Sequence, residues 1–436
     1  MNVSQSLKYA AGVFCFGFAA CLASTAQADA AAKCVKGDRK PPYTIGWADI
    51  YSVPTWMKET QGTIEKEVDE LKKQGLVSKL VATDAQGDAN TQIQQIRSMI
   101  DSNIDAIVLI AGSSSAPGRV IADASAKGIA IINFDSLVDT DQVTAKINTD
   151  SLQWGGAAAD WLVKAMGGKG NIIVLNGPAG ISVSDDRRKG ANPVLAAHPE
   201  VKILAESNTN YNVAPAQEAV TNLLFAHPDI DGVLSLGGAL SGGAVLAFDK
   251  QGRAQAPITG ENARQFLELW KSKGLKSWAT MQPNWLGAFA AYTAVQALNG
   301  RDVPAFVKIP LPIIDNDNLD SYLAQAKDFP ADGYIYSPYD QKLFDSLLSR
   351  SDPSPGVVEN RDACSNPRSA RRVESLLWQR RAARSVDRAR ARAHPRPARR
   401  ERRGQIDAHQ PAVRGARPRR RNRRNRRLPD ARPRAR

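Results

Sequence analysis

Short apolar runs alternate with amphipathic segments along most of the chain, and the alternation is clearest between Asp84 and Asp135. One amphipathic segment there precedes the apolar run Ile104–Ile110, and a second precedes the run Ile129–Phe134. Apolar runs of this length, separated by helical segments, are typical of parallel strands buried on both faces. The pattern therefore predicts helix, strand, helix, strand, with short connections.

The same alternation extends in both directions and forms two rounds. The first round begins with a strand at 43–48 and ends near Ile147–Thr149, and the second runs from a strand at 171–175 to a helix that ends at Leu298. Each round has the size of one doubly wound domain, and no Pro-, Ser- or Gly-rich spacer separates them. We therefore predict an α/β fold of two doubly wound, Rossmann-like lobes, joined by a hinge of short ordered crossings.

Several polar and aromatic residues fall at predicted strand ends, which is where parallel sheets bind ligands. Ser113 and Asp135 follow the two apolar runs, and Tyr51 and Trp56 fall in the loop expected after the first strand. Small polar groups beside aromatic faces favour a polar, neutral ligand such as a sugar, although ordinary packing is the alternative for any one aromatic. Arg187 and Arg188 follow two acids in a loop that leads into a predicted helix, and a surface charge pair is the competing interpretation for at least one of them.

The net charge of +14 misrepresents the body of the protein. Residues 361–436 contain 27 Arg, no Lys and 6 acids, so they carry +21 and leave −7 for residues 1–360. Such a segment usually forms a disordered basic arm, and nucleic-acid binding through it is one alternative function. We favour another hypothesis, translation out of frame. With free codon choice, residues 400–408 shifted by one base read as a Walker A loop.

The N-terminus has the pattern of an export signal. A basic residue and an apolar run precede a small-x-small site, so we expect a signal peptide over 1–28, cleavage after Ala28 and a periplasmic protein. A lipoprotein modified at Cys21 is the alternative. Cleavage would leave Cys34 and Cys364, and their spacing does not decide whether they pair.

Candidate catalytic and metal-binding groups are scattered along the sequence. The four His have no metal-ligand spacing, and no Ser or Cys has a recognisable base partner. We therefore expect no metal, no cofactor and no enzymatic activity.

From about Tyr43 to Tyr339 the chain resembles the periplasmic sugar-binding proteins of the ribose-binding type, the solute receptors of bacterial ABC importers. The resemblance is carried by DAQGDANTQIQQIRSMIDSNIDAIVLIAG, GIAIINFDS, INTDSLQWG, SDDRRKG, NLLFAHPDIDGVLSLGGALSGGAV and ATMQPNWLG. It implies two lobes joined by three crossings, which close over one sugar or polyol and dock on a membrane permease. The implied lobes are 43–147 with about 283–310, and 148–282 with about 311–345. We expect a monomer without a nucleic-acid partner.

The resemblance also implies roles for individual residues. Asp135 matches the sugar-binding acid of the family, and Arg187 matches the Arg that precedes the Arg/Lys-Gly helix start. Trp56 falls on an aromatic that stacks on the sugar. Asn262 falls where the family often has a ligand-binding Asp, and Gln282 lies near its hinge-side Gln.

The chain departs from the family pattern mainly in the second lobe. Gly237 and Gly238 stand where many members have Asn-Asp, Asn262 replaces an acid, and Thr55 in the first lobe replaces an aromatic. These differences leave the identity of the sugar open. A repressor of the same lobe architecture is an alternative, but it would need a helix-turn-helix before the first strand, where this chain has its expected export signal.

Overall fold

A computed structural model describes residues 39–52 and 55–349. Within these residues, no helix is long and apolar enough to span a membrane. The predictions that lie outside the described residues concern the export signal at 1–28 with cleavage after Ala28, the cysteines Cys21, Cys34 and Cys364, and the arginine-rich segment 361–436.

The strands form two sheets, and every strand pair within them is parallel. In chain order they are β1 (Tyr43–Asp49), β2 (Val77–Asp84), β3 (Ala106–Leu109), β4 (Ala130–Phe134), β5 (Ala145–Thr149), β6 (Gly170–Asn176), β7 (Val201–Asn208), β8 (Gly232–Ser235), β9 (Ile258–Glu261), β10 (Ser277–Thr280) and β11 (Phe306–Ile309). The first sheet has the order β11-β5-β4-β3-β1-β2, and the second has the order β10-β9-β8-β6-β7. Strands β3 and β4 are buried throughout, as their continuous apolar runs predict.

Helices flank both sheets and pack on them through their apolar faces. They are α1 (Thr55–Lys73), α2 (Ala89–Asp101), α3 (Gly118–Ala126), α4 (Ser151–Ala165), α5 (Ser182–Ala197), α6 (Val213–Ala226), α7 (Leu240–Lys250), α8 (Arg264–Lys273), α9 (Leu286–Leu298), α10 (Leu319–Leu323) and α11 (Gln341–Ser349). A carboxylate caps the N-terminus of three of them, since Asp88 accepts from the Thr91 amide, Asp150 from the Gln153 amide and Asp340 from the Leu343 amide. Helix α9 is buried on nearly every face because it packs between α1 and the first sheet.

Within the described residues, four segments join the lobes, which we define by their sheets, and the first three form the hinge. The chain passes from β5 of the first lobe to α4, which packs in the second lobe, and returns through residues 281–285 to α9. It leaves again after β11, and Ile314 forms an antiparallel bridge with Ala279 of the second lobe. The predicted fold class of two doubly wound lobes with a three-crossing hinge is thereby confirmed. Strand β5 continues to Thr149, two residues beyond the expected limit of 147.

A fourth crossing, which the sequence did not predict, follows the third. Tyr334 forms a bridge with Ala263, and the amide of Ile335 donates to the Asn262 carbonyl, so this segment belongs to the second lobe. Helix α11 then packs on α9 and β11 of the first lobe. The chain therefore returns to the first lobe before residue 345, the expected limit of the second.

Burial of the apolar face of α11 explains this return. Phe344 is fully buried, and its ring lies within 6.1 Å, between centroids, of four other aromatic rings. Leu347 and Leu348 are buried beside it. Because α9 presents an almost wholly apolar surface, α11 finds its partner on that helix and not in the second lobe.

Candidate functional site

A cavity with an empty volume of about 590 Å³ lies between the lobes, at the carboxyl ends of strands from both sheets. The apolar part of its lining includes Ile50, Met57, Ile110, Ala111, Ile181 and Val183, and the polar and aromatic part includes Tyr51, Trp56, Asp135, Ser136, Arg187, Tyr211, Glu261, Gln282 and Tyr334.

Asp135 lies at the centre of the first-lobe wall, directly after β4. Its backbone adopts a left-handed conformation, with φ of +58°, which turns the side chain out of the strand direction. The buried carboxylate accepts a hydrogen bond of 2.9 Å from Gln282 Nε2. Burial raises the pKa of Asp135 to about 6, although the nearby Arg187 guanidinium and the Gln282 amide offset part of the rise.

Gln282, in the second crossing, connects three buried groups of the first lobe. Its Nε2 donates to Asp135 Oδ1 and, at 2.5 Å, to Asn148 Oδ1, and its Oε1 accepts from the Thr149 hydroxyl. The backbone carbonyl oxygen of Gln282 accepts from the Trp56 indole N–H at 2.8 Å. This one residue therefore holds the acid and the aromatic of the first-lobe wall in place.

Arg187 contributes the positive charge of the second-lobe wall. The side chain is 3% exposed, and its guanidinium lies 3.5 Å from the centroid of the Trp154 ring. Nη1 donates to the Leu236 carbonyl at 3.0 Å and lies 3.5 Å from Glu261 Oε2. Of the two adjacent arginines, Arg188 makes the predicted surface ion pair, with Glu206.

Close packing of α4 against α5 sets the position of Arg187. A Cβ on Gly155 of α4 would lie 1.7 Å from the Arg187 carbonyl oxygen, so any side chain there would separate the two helices. This close approach brings Trp154, the neighbour of Gly155, against the guanidinium, where a cation–π contact helps to hold a buried charge.

The two predicted aromatics of the first lobe both line the cavity. Trp56 was predicted to lie in the loop after the first strand. It is instead the second residue of α1. Its indole nitrogen is already bonded to Gln282, so the ring and not the N–H group faces the cavity. Tyr51 is half-buried, and burial together with the Asp135 carboxylate raises the pKa of its hydroxyl.

Two of the predicted site residues do not line the cavity. Asn262 is fully buried, and its side-chain amide donates to the Ile335 carbonyl at 2.7 Å, which fixes the segment before the fourth crossing. The hydroxyl of Ser113 accepts from the Ala116 amide at 3.2 Å and so stabilises its own turn. Both side chains act on the backbone around the site.

Glu261, the residue before Asn262, lines the cavity and was not predicted from the sequence. Successive side chains point in opposite directions along a strand. An error of one residue in the register therefore exchanges a residue that faces the cavity for one that faces the protein interior. Tyr211 and Tyr334 were missed as well, and they come from loops without a sequence pattern that marks them. The sequence feature that points to Glu261 is the order Gly260-Glu261-Asn262, which places Glu261 beside the predicted site residue Asn262.

These features define a class of protein: a two-lobed receptor that can enclose a small polar molecule at its hinge. A family model described as a periplasmic binding protein domain matches residues 49–302, more than half of the chain. The chain therefore belongs to the periplasmic binding protein family, whose members are solute receptors and not enzymes. The predicted non-enzymatic class is thereby confirmed.

Individual relatives confirm the resemblance to receptors of the ribose-binding type. The chain is 30% identical over 244 residues to the xylitol-binding protein of Mycolicibacterium smegmatis. The matched region covers 55% of this chain and 70% of that protein. It is 25% identical over 283 residues to the ribose import binding protein RbsB of Bacillus subtilis, with coverage of 65% and 90%. A crystal structure of an ABC transporter solute binding protein from Thermobispora bispora matches with a TM-score of 0.66 at 25% identity, covering 70% of this chain and 95% of that one.

Proposed function

We propose that this protein is an exported receptor that binds one sugar or polyol between its lobes and delivers it to the permease of an ABC importer. The observation that carries the proposal is the meeting of Asp135 and Gln282 with Arg187 in one cavity, flanked by Trp56 and Tyr51. Charged and amide groups suit the hydroxyls of a sugar, and aromatic rings suit its C–H faces. The relatives that bind xylitol and ribose support a ligand of about five carbons.

Within this proposal, the two lobes share the ligand. Asp135 would accept hydrogen bonds from ligand hydroxyls, Arg187 would donate to ligand oxygens, and the Trp56 ring would stack on the carbon skeleton. Binding would favour the closed arrangement because the ligand then contacts both lobes at once. Ser113 and Asn262 would support the loops around the ligand without touching it.

A thermal-shift screen of the purified chain against pentoses, pentitols, hexoses and inositols tests the proposal. A ligand present at 100 times its Kd stabilises a protein by about 2.7 kcal/mol, which should raise the Tm of a chain of this size by roughly 3–5 °C. If no compound in the panel changes the Tm, the protein is not a sugar or polyol receptor.

Asp135→Asn locates the site, and Asp139→Asn is its matched control. Asn tolerates the left-handed backbone at position 135, so the substitution removes charge with little change of shape. Loss of a charge-assisted hydrogen bond costs about 1.5–3 kcal/mol, or roughly 10- to 150-fold in affinity. Asp139 is exposed, and its substitution should leave the affinity unchanged. Equal affinities of the two variants would place the ligand elsewhere.

We further infer that export removes residues 1–28, that the receptor acts as a monomer and that residues 361–436 take no part in binding. Mass spectrometry of the exported protein tests cleavage after Ala28 against lipid attachment at Cys21. Light scattering tests the monomer. Truncation after residue 360 should leave sugar affinity unchanged, and salt-sensitive DNA binding lost on truncation would instead support a nucleic-acid role.

A further inference from the structure

The second-lobe wall of the cavity is organised around a carboxylate, Glu261. It is 3% exposed, and its Oε2 accepts from the Gly238 amide and lies 3.5 Å from Arg187 Nη1. Its Oε1 accepts from the backbone amide of Gln282 at 3.3 Å. Glu261 therefore connects the turn after β8, the arginine on α5 and the second crossing.

The missing side chain at Gly237 makes room for this arrangement. A Cβ at that position would lie 2.0 Å from Arg187 Nη1 and 2.8 Å from Glu261 Oε2, and the backbone there has a φ of +127°, which favours glycine. The Arg187–Glu261 pair thus occupies the space that a side chain at 237 would need. The Gly-Gly turn and Glu261 form one feature of this chain.

The cavity lining consequently carries more negative than positive groups. Its ionisable acids are Asp135 and Glu261, and its basic residue is Arg187, so the formal charge is −1 when both acids are ionised. Because Glu261 already pairs with Arg187, the guanidinium is not free to act as the counter-ion of an acidic ligand.

We propose that Glu261 determines specificity by excluding acidic sugars and polyols from the cavity. This inference rests on the proposed function and refines it to neutral ligands. A carboxylate or phosphate on the ligand would meet an excess of negative charge in a site from which water is largely displaced, where like charges repel strongly. Neutral hydroxyls meet no such penalty and can bond to either acid.

Glu261→Gln tests this role because it keeps the shape and one acceptor oxygen while it removes the charge. Isothermal titration of the full chain would compare xylitol with xylonate, and D-ribose with D-ribonate. Wild type should bind the neutral member of a pair at least 100-fold more tightly than the acid, and Glu261→Gln should reduce that ratio at least tenfold. Glu218→Gln, at an exposed position in the same lobe, should leave the ratio unchanged.

The ratio of affinities separates charge selection from a structural role, since a merely loosened site would weaken both members of a pair alike. An unchanged ratio in Glu261→Gln overturns the inference, and so does a wild type that binds acid and neutral members equally. The wild-type comparison can overturn the inference even if Glu261→Gln does not fold. If the wild type binds the acids but not the neutral compounds, the inference about Glu261 fails, while the proposed receptor function stands. If it binds none of the four probes and none of the screened sugars, the proposed receptor function itself fails.

Discussion

Replacing Gln282 by Ala should lower the free energy of unfolding by about 2–4 kcal/mol. The side chain makes three buried hydrogen bonds, to Asp135, Asn148 and Thr149, and each is worth about 0.5–1.5 kcal/mol net. Their loss also leaves the buried Asp135 carboxylate with less compensation for its desolvation. The bonds of the Gln282 backbone to Trp56 and Glu261 survive the substitution, which limits the effect to the side chain.

Urea denaturation of the ligand-free chain at pH 7.5, followed by tryptophan fluorescence, measures this difference. Gln94→Ala is the control, because Gln94 is exposed on α2 and accepts from Arg97 at the surface. That substitution should change the free energy of unfolding by less than about 0.5 kcal/mol. If Gln282→Ala is as stable as the control, the hydrogen bonds at the second crossing do not hold the lobes together as the geometry indicates.

Three further predictions concern buried groups. Phe344→Ala should lower the free energy of unfolding in urea by about 3–5 kcal/mol, since the ring packs among four others, and a loss below 1 kcal/mol would contradict the described packing of α11. Burial, then Asp84 and Asp135, raises the pKa of Asp49 to about 8, so the folded state keeps a proton that the unfolded chain loses above about pH 4. Stability should therefore fall as pH rises from 4 to 8, and Asp49→Asn should reduce that slope in pH-dependent melts, whereas parallel slopes would refute the assignment. Affinity for a neutral sugar should weaken as pH falls through about 6, where Asp135 gains a proton, and titration calorimetry that finds no change between pH 7.5 and 5 would exclude Asp135 as an acceptor.

The sequence predicted the parts of the molecule whose environment is encoded locally. The run Ile104–Ile110 identifies β3 because a strand buried on both faces must be apolar at every position. Asp135 was found for a related reason, since the residue after a buried strand in a parallel sheet lies where ligands bind. Such predictions need only the period of the pattern and the direction of the strand.

What escaped prediction depends on register or on distant partners. The apolar run before Asn262 is too short to fix which of two adjacent side chains faces the cavity, so Glu261 was missed. The amphipathic pattern of α11 shows that one face is buried, but it cannot tell on which lobe, because that depends on the apolar surface of α9. Ser113 has the right position for a ligand contact, yet its hydroxyl bonds within its own turn.

The interleaving of the lobes has a consequence for the order in which they are completed as the chain emerges. Helix α9 begins at Leu286, 137 residues after β5 ends at Thr149, although it supplies much of the first-lobe core. As the chain emerges N-terminus first, α1 and the first sheet lack that helix until those 137 residues have followed. The second lobe, whose strands β6–β10 are contiguous, can close its core first. The N-terminal lobe is thus the last to be finished, and the apolar face that α9 covers stays exposed in that interval.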